Sequence, residues 1–327
     1  MPKPVPPPPK LDLGTTILGQ PGRDSVIYVG QNTTGWHLDD SKIVLRGDGR
    51  AGIVTVNTDP KKDRWPTMKD MAVRGCLIQA ELRDNRSKWG MRRYGLTGIC
   101  FTSNSIVRNL GLEHAIYDEV FGGEHHYDNL HLDNCGAQGL QIRTTEQPPS
   151  LSPHYLDTKT IYLTNVTISE CGQARGAGRA GFGLSIKDQG PNSTILLTEV
   201  FVQTVKQTAV KVKKDGTVLA DSFGAICIER AGTLDIAGGY VSMKNPDRSA
   251  IQLFDGADHT EGPAFDDIVI DGLELDNQVL TFRVDTVGRV RITNPKGAGQ
   301  IRLQRFDPAT KRYKFWKAIP WAPYSQG

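Results

Sequence analysis

The stretch from Asp128 to Ile142 reads Asp-Asn-Leu-His-Leu-Asp-Asn-Cys-Gly-Ala-Gln-Gly-Leu-Gln-Ile. Two short runs in which apolar and polar residues alternate flank a turn that contains Asn, Cys and Gly. Such alternation is typical of half-buried strands, and Asn and Gly favour turns. The stretch therefore predicts a strand, a short polar turn and a second strand.

Four altered copies of this unit follow later in the chain. They lie at 165–186, 200–212, 241–253 and 273–282. Cys135 to Leu140 keeps the same spacing as two of the later copies, whereas the copy at 165–186 carries an insertion in its turn. A turn that faces solvent tolerates insertions. No stretch sustains the apolar spacing of an amphipathic helix, so the sequence predicts a repetitive, mostly β protein.

The copies recur about every 26 to 44 residues, which is a period that both solenoids and propellers show. A propeller blade needs hairpins, and the Asn-Gly or Asp-Gly signals of tight hairpins are mostly missing between these strands. The repeat therefore favours a solenoid in which each copy lies about 4.8 Å from the previous one.

Two of the copies carry a resemblance to a known family. Asn129 to Gly136 and Asn165 to Gly172 are similar to the repeats of the right-handed parallel β-helix family of pectate lyases and phage tailspikes, and the resemblance covers roughly residues 40 to 300. It implies an all-β, single-stranded, right-handed parallel β-helix. This fold serves lyases, hydrolases, epimerases and structural virion proteins alike, so it does not specify a function.

The chain divides into three segments on this interpretation. Residues 1–23 form a proline-rich extended arm, which is either a disordered tail or a tether laid on a neighbour. Residues 24–297 form the β-helix. Residues 298–327 form a hairpin with an aromatic and basic tail, which caps the open end of the helix or docks on a partner. The interface residues expected there are Phe315, Trp316, Trp321 and Tyr324.

Alternation assigns the two sides of the second strand in each copy. Leu140 and Ile142 face the core, as do their counterparts Leu184, Ile186, Val210, Val212, Ile251, Leu253, Leu280 and Phe282. The outward position after them is held by Arg143, Lys187, Lys213, Phe254 and Arg283. A stripe of stacked cations needs acidic neighbours or an anionic ligand. Arg143, Lys187, Lys213 and Arg283 are therefore candidate ligands for an acidic polysaccharide or protein, the alternative being a solvated face compensated by nearby acids.

The turn of the repeat predicts a structural corner. Asn134, Asn245 and Asn277 hold one place in three copies, and Cys135 and Cys171 hold the next place in two. Asparagine tolerates left-handed geometry and satisfies backbone groups, so we expect an internal polar ladder there. The five cysteines lie far apart and show no CxxC spacing, which indicates buried, reduced thiols.

The sequence indicates a metal site or a catalytic site less clearly than it indicates the fold. His125 and His126 would point to opposite faces of a strand, and His114 and His131 offer at most a weak pair, so neither a metal site nor another cofactor is predicted. No paired-carboxylate, polygalacturonase or lyase motif is evident. Lys187, Asp188 and Arg143 are the nearest approximation to a catalytic group.

The resulting functional prediction is a structural or binding protein of a phage-like virion. It would be a capsid decoration or a tail component, made in the host cytoplasm and trimeric, and it would contact other virion proteins through its arm and tail. A net charge of +3 does not indicate nucleic-acid binding, and the sequence shows neither a membrane span nor a secretory signal. The alternative is an extracellular polysaccharide lyase or hydrolase.

Overall fold

The structure is a computed structural model, and nearly all of its regular elements are β-strands. It describes residues 3–20, 24–30, 32–47, 49–56, 67–81, 88–111, 113–144, 153–171, 181–204, 211–212, 218–219, 223–243, 249–254, 264–310 and 312–327. A 3-10 turn covers Val284–Thr286. Among these residues, no helix has the length and apolar character needed to cross a bilayer.

In chain order, the strands are β1 (Thr15–Leu18), β2 (Ser25–Gly30), β3 (His37–Asp39), β4 (Ser41–Leu45), β5 (Ala51–Val56), β6 (Met68–Lys69), β7 (Ala72–Arg74), β8 (Leu77–Ala80), β9 (Trp89–Thr97), β10 (Ile99–Arg108), β11 (Ile116–Val120), β12 (Gly123–Asp133), β13 (Leu140–Arg143), β14 (Lys159–Thr164), β15 (Thr167–Ser169), β16 (Gly181–Thr198), β17 (Phe201–Thr204), β18 (Lys211–Val212), β19 (Val218–Leu219), β20 (Phe223–Ala237), β21 (Tyr240–Met243), β22 (Ser249–Phe254), β23 (Phe265–Asp271), β24 (Glu274–Arg283), β25 (Val287–Thr293), β26 (Lys296–Asp307), β27 (Arg312–Pro320) and β28 (Tyr324–Gln326).

Three ladders of parallel strands make up the large sheet, and successive passes of the chain add strands to each in turn. Face A runs through β1, β4, β8, β10, β12, β15, β17, β21, β24 and β26. Face B runs through β2, β5, β9, β11, β13, β16, β20, β22, β24 and β26. Face C runs through β3, β7, β10, β12, β14, β16, β20, β23 and β25. This arrangement is consistent with a solenoid of the β-helix kind.

The core rows of face B follow the predicted repeat with one exception. Leu140 pairs with Leu184, and further along Ile251 pairs with Leu280, so these predicted core positions are confirmed. Ile226 occupies the position between Leu184 and Ile251 in this core row, and Ile228 occupies the corresponding position in the neighbouring core row. The prediction of Val210 and Val212 for this place was wrong, because β18 pairs antiparallel with β19 instead of joining face B. Val210 itself lies outside the described residues.

The turn from face C to face A is a column of residues in left-handed backbone geometry. Its members are Asp40, Gly75, Asn104, Asn129, Asn165, Glu199, Gly238, Gly272 and Asn294. Asparagine and glycine adopt positive φ at low cost. The Nδ2 of Asn129 donates to the Oδ1 of Asn104 at 2.7 Å, which links successive turns. The turn motif is therefore as repetitive as the strands.

The predicted polar ladder lies at the other end of face A. There the Nδ2 of Asn134 donates to the Oδ1 of Asn109 at 2.8 Å, and both residues have positive φ. Asn277 also has positive φ, whereas Asn245 lies outside the described residues. Cys135 and Cys171 are fully buried behind this corner, and all five cysteines are buried free thiols, as expected.

The two terminal segments both contact the sheet. The arm, residues 3–14, lies along face A of its own chain, where the ammonium of Lys3 pairs with Glu274. At the other end, β26 pairs parallel with β24 and antiparallel with β27, so the predicted hairpin begins in the last strand of the ladder. Trp321 is buried and its Nε1 donates to the carbonyl of Lys296 at 3.0 Å.

Lys159 is a fully buried lysine at the start of β14, and it orders the loop before it. Its Nζ donates to the carbonyl oxygens of His154 at 2.8 Å, Asp157 at 3.2 Å and Gln189 at 2.9 Å. These bonds join the loop to the next pass of the chain.

Replacing Lys159 with methionine is expected to lower the free energy of unfolding by about 1–3 kcal/mol, because the buried carbonyl of Gln189 and the partly buried carbonyls of the loop lose their donor. Urea unfolding measures this loss. The matched control is Lys69→Met, which removes an exposed lysine and should cost less than about 0.5 kcal/mol. Equal effects of the two substitutions would show that the Lys159 ammonium contributes nothing.

Candidate functional site

The outward row at the end of each face B strand contains the predicted binding residues. The register aligns Glu119, Arg143, Lys187, Glu229, Phe254, Arg283 and Gln304. We call these residues the face B row. Glu229 occupies the place that was predicted for Lys213, which lies outside the described residues. The row is therefore mixed in charge, and the predicted stripe with cations at four of five positions was wrong.

Lys187 is engaged by an acid that the sequence prediction missed. Its Nζ lies 3.0 Å from the Oε1 of Glu229 on the next rung. Burial acts to lower the pKa of Lys187, but Glu229, together with Cys227 and Asp188, outweighs burial, and the pKa lies above its ordinary value. Lys187 is therefore held as an ammonium, which suits an ion pair and not a general base.

The other two predicted cations behave differently from one another. The guanidinium of Arg283 lies between the rings of Phe254, at 4.3 Å, and Tyr313, at 4.0 Å, so it ties the hairpin to face B. Within the described part of the chain, Arg143 has no hydrogen-bond or ion-pair partner, and its Nε is buried without an acceptor. Arg143 is thus a cation of the row that has no carboxylate partner among the described residues.

The two charged neighbours of Arg143 in the face B row each contact a residue other than Arg143. On one side Glu119 accepts a hydrogen bond from the hydroxyl of Tyr117 at 3.0 Å, and on the other Lys187 pairs with Glu229. Asp188 follows Lys187 in the chain, with φ of 55°. The structure thus brings the predicted trio Arg143, Lys187 and Asp188 together on two adjacent rungs, and adds Glu229 to them.

An aromatic group adjoins the row at its Glu119 end. The rings of Tyr94 and Tyr117 are 5.8 Å apart, and the ring of His114 lies 5.6 Å from that of Tyr117. The guanidinium of Arg92 lies 5.1 Å from the Tyr94 ring and 4.7 Å from that of Trp89. The sequence prediction missed this group because the copies that it aligned begin at Asp128. One signal in the sequence was Met91. It pairs with Ile116 and so extends the core row of face B toward the N-terminus.

A second outward row of face B is polar but buried. It consists of Tyr117, Gln141, Ser185, Cys227, Gln252 and Thr281. The Oγ of Ser185 has no hydrogen-bond partner in the described structure. Burial raises the pKa of the Cys227 thiol, and the Glu229 carboxylate raises it further, so this thiol stays protonated.

The histidines separate as the strand geometry predicts. His125 points inward and is buried, whereas the ring of His126 stacks on face C between Phe101, at 4.8 Å, and Tyr162, at 4.5 Å. His114 lies against Tyr117 beside face B, and His131 lies on face A. In the part of the chain that the structure describes, no three His, Cys, Asp or Glu side chains are grouped to hold a metal ion.

The predicted interface residues fall into two pairs. Trp321 is buried, and the ring of Tyr324 packs 5.9 Å from that of Phe282, so both cover the end of the core. Phe315 and Trp316 are exposed to 62% and 48%, and Trp316 stacks with the guanidinium of Arg305 at 4.2 Å. The second pair is the one available to another molecule.

No protein-family model, no curated protein and no solved structure matches the chain. The chemistry of face B therefore has to be argued from its own geometry. That geometry offers a guanidinium without a hydrogen-bond or ion-pair partner among the described residues, and a lysine whose pKa is raised. Such a surface can bind an anion.

Proposed function

We propose that the chain is a single-stranded, right-handed parallel β-helix of the pectate-lyase and tailspike type, and that it is a structural and binding component of a phage-like virion. Three parallel ladders, a terminal arm and an aromatic hairpin support this architecture. The role in a virion rests on the proline-rich arm, the aromatic and basic tail and the dispersed, reduced cysteines. A binding role fits the charges of face B better than a catalytic one.

The proposed ligand of face B is an acidic polysaccharide, and Arg143 is the residue that carries the proposal. A guanidinium presents parallel N–H donors to a carboxylate, and such charge-assisted bonds are the strong ones. On the neighbouring rungs, Lys187 is already paired with Glu229, and Glu119 accepts a hydrogen bond from the hydroxyl of Tyr117. A uronate carboxylate would meet the Arg143 guanidinium there, and the partly exposed rings of Tyr94 and Trp89 belong to the aromatic group at the Glu119 end of the row.

Replacing Arg143 with alanine is expected to weaken binding of a uronate polysaccharide by about tenfold or more, because a hydrogen-bonded charge contributes about 1.5–3 kcal/mol. Titration calorimetry against polyuronates and matched neutral glycans measures this loss. Lys187→Ala should have a smaller effect, since Glu229 already neutralises that ammonium. Arg289→Ala is the control, because this arginine is exposed on face C and paired with Asp267.

Binding that is equal in the Arg143→Ala and Arg289→Ala variants would contradict the proposed site. The same incubations test for catalysis. Release of unsaturated products or of reducing ends, abolished by Lys187→Ala, would support the lyase or hydrolase alternative in place of a structural role.

We further propose that the protein is a homotrimer. Phe315 and Trp316 are two exposed aromatic residues that a partner could bury. Sedimentation equilibrium tests this state, and a stable monomer at micromolar concentration would count against it.

A further inference from the structure

The arm lies along the edge where face C turns into face A. Its backbone contacts the wall at its two ends, where the amide of Lys3 donates to the Tyr240 hydroxyl at 3.0 Å and that of Gly14 donates to the carbonyl of Asp40 at 2.8 Å. Pro6 and Pro9 are half-buried, whereas Pro7 and Pro8 are exposed. This spacing of three is the turn of a polyproline II helix.

The length of the arm matches the wall that it crosses. Eleven residue steps from Lys3 to Gly14, at about 3.1 Å each, span about 34 Å. Asp40 precedes β4 and Glu274 begins β24, and seven rung spacings of about 4.8 Å separate these strands, which again gives about 34 Å. An extended arm of this length therefore reaches Glu274 without slack.

The surface beneath the arm has the chemistry of a peptide-binding groove. We define the arm groove by the residues that line it: Asn129, His131, Thr167, Glu199, Phe201 and Tyr240. The rings of Phe201 and Tyr240 stack at 4.9 Å, and the Lys3 ammonium lies 5.5 Å from the centre of the Tyr240 ring. A cavity of about 380 Å³ lies between the arm and this wall. Aromatic grooves bind polyproline segments because such segments are already extended and lose little entropy.

We propose that the arm groove is a polyproline-binding site that the arm of a second copy also fills, so that copies of this chain associate by exchanging arms. The arm adds no strand to the sheet, and it joins β1 through Gly14 at the end of the ladder. Redirecting the chain at Gly14 would let Lys3 and the prolines make the same contacts in the groove of a second copy. Exchange of an identical segment between copies is a low-cost route to assembly.

The occupant is a second copy because the groove matches this particular segment. Its acidic end, Glu274, meets the cationic Lys3, and the distance of about 34 Å between Asp40 and Glu274 matches the length of the arm from Lys3 to Gly14. Every copy of the chain carries a segment with that length and charge. This proposal does not depend on the binding role of face B.

The test is a crosslinking experiment on two full-length chains that carry different tags and are co-expressed. One chain carries Lys3→Cys and the other carries Glu274→Cys. The native cysteines are buried, so a short bismaleimide reacts at the new positions. We expect a covalent product that contains both tags, at about tenfold or more above the yield of a control pair in which Arg289→Cys replaces Glu274→Cys, since bound neighbours have a high effective concentration. A single chain that carries both Lys3→Cys and Glu274→Cys shows whether the crosslinker spans the two positions. If this chain crosslinks internally and the two-chain yield equals that of the control, the proposal is overturned.

Charge reversal supplies an independent measurement. Lys3→Glu and Glu274→Lys each replace an ion pair with like charges, whether the arm binds in cis or in trans. Co-expression of the two variants restores opposite charges only when the arm of one chain binds the groove of the other. We expect the tagged pair to co-purify, and each variant alone to show less association. If the co-expressed pair associates no more than either variant alone, arm exchange is contradicted.

Discussion

Replacing Asp118 with asparagine is expected to lower the free energy of unfolding by about 3–5 kcal/mol, because it leaves a buried charge without its counter-ion. Arg93 and Asp118 are 1% and 0% exposed. The Nε of Arg93 donates to the Oδ1 of Asp118 at 2.8 Å, and one terminal nitrogen donates to Oδ2 at 2.6 Å. That nitrogen also donates to the Oγ1 of Thr102 at 2.8 Å, and the hydroxyl of Tyr127 donates to Oδ2.

Chemical denaturation with urea measures the effect of Asp118→Asn. The matched control is the triple variant Arg93→Met/Asp118→Leu/Tyr127→Phe, which removes both charges and the hydroxyl together. A buried ion pair replaced by apolar residues of similar volume costs little or stabilises the fold. We therefore expect the triple variant to be more stable than Asp118→Asn. The reverse order would show that the pair contributes through its own attraction and not through the cost of an unmatched charge.

Acidification from pH 7 to pH 4 is expected to cost the protein about 3 kcal/mol through His125 alone. Burial lowers the pKa of His125 to about 4, and the nearby charge of Arg93 acts in the same direction, against a hydrogen bond to Gly122 and the charge of Asp118. In the unfolded chain the imidazole titrates near its ordinary pKa of about 6.5. Between these two values the unfolded state binds the additional proton, so stability falls as the pH falls through this window.

The variant His125→Phe isolates this contribution, because phenylalanine fills a similar volume and cannot be protonated. Unfolding free energies measured from pH 7 to pH 4 should fall less steeply for the variant than for the wild type. The control is His126→Phe, which changes a histidine that is stacked on the outer surface of face C and not buried in the core. Parallel pH profiles for His125→Phe and the wild type would contradict the assignment.

Much of the fold was predictable because its signals are local. Alternation at Leu140 and Ile142 specifies which side of a strand is buried, and asparagine at positions such as Asn134 specifies a turn with positive φ. Each of these signals acts within a few residues of the chain. The β class, the repeat, four of the five core pairs and the corner asparagine followed from them.

The third repeat shows where local signals are insufficient. Val210 and Val212 alternate in sequence as well as Ile226 and Ile228 do, yet Val212 lies in β18, which pairs with β19, whereas Ile226 and Ile228 join face B. Which segment pairs with β16 depends on the length of the connection and on the surface that is left to cover. The face B row changed with it, since Glu229 replaced Lys213 beside Lys187.

The sequence of this protein therefore determined, without tertiary information, the strand pattern, the turns and the outward direction of Arg143, Lys187 and Arg283. Only the tertiary structure decided which of these cations is matched, where the arm lies, and why Arg93, Asp118, His125 and Lys159 can be buried. The reason is physical. Alternation and turn geometry are properties of neighbouring residues. The stability of a charge, whether it is buried or on the surface, depends on the partners that distant segments of the chain place beside it.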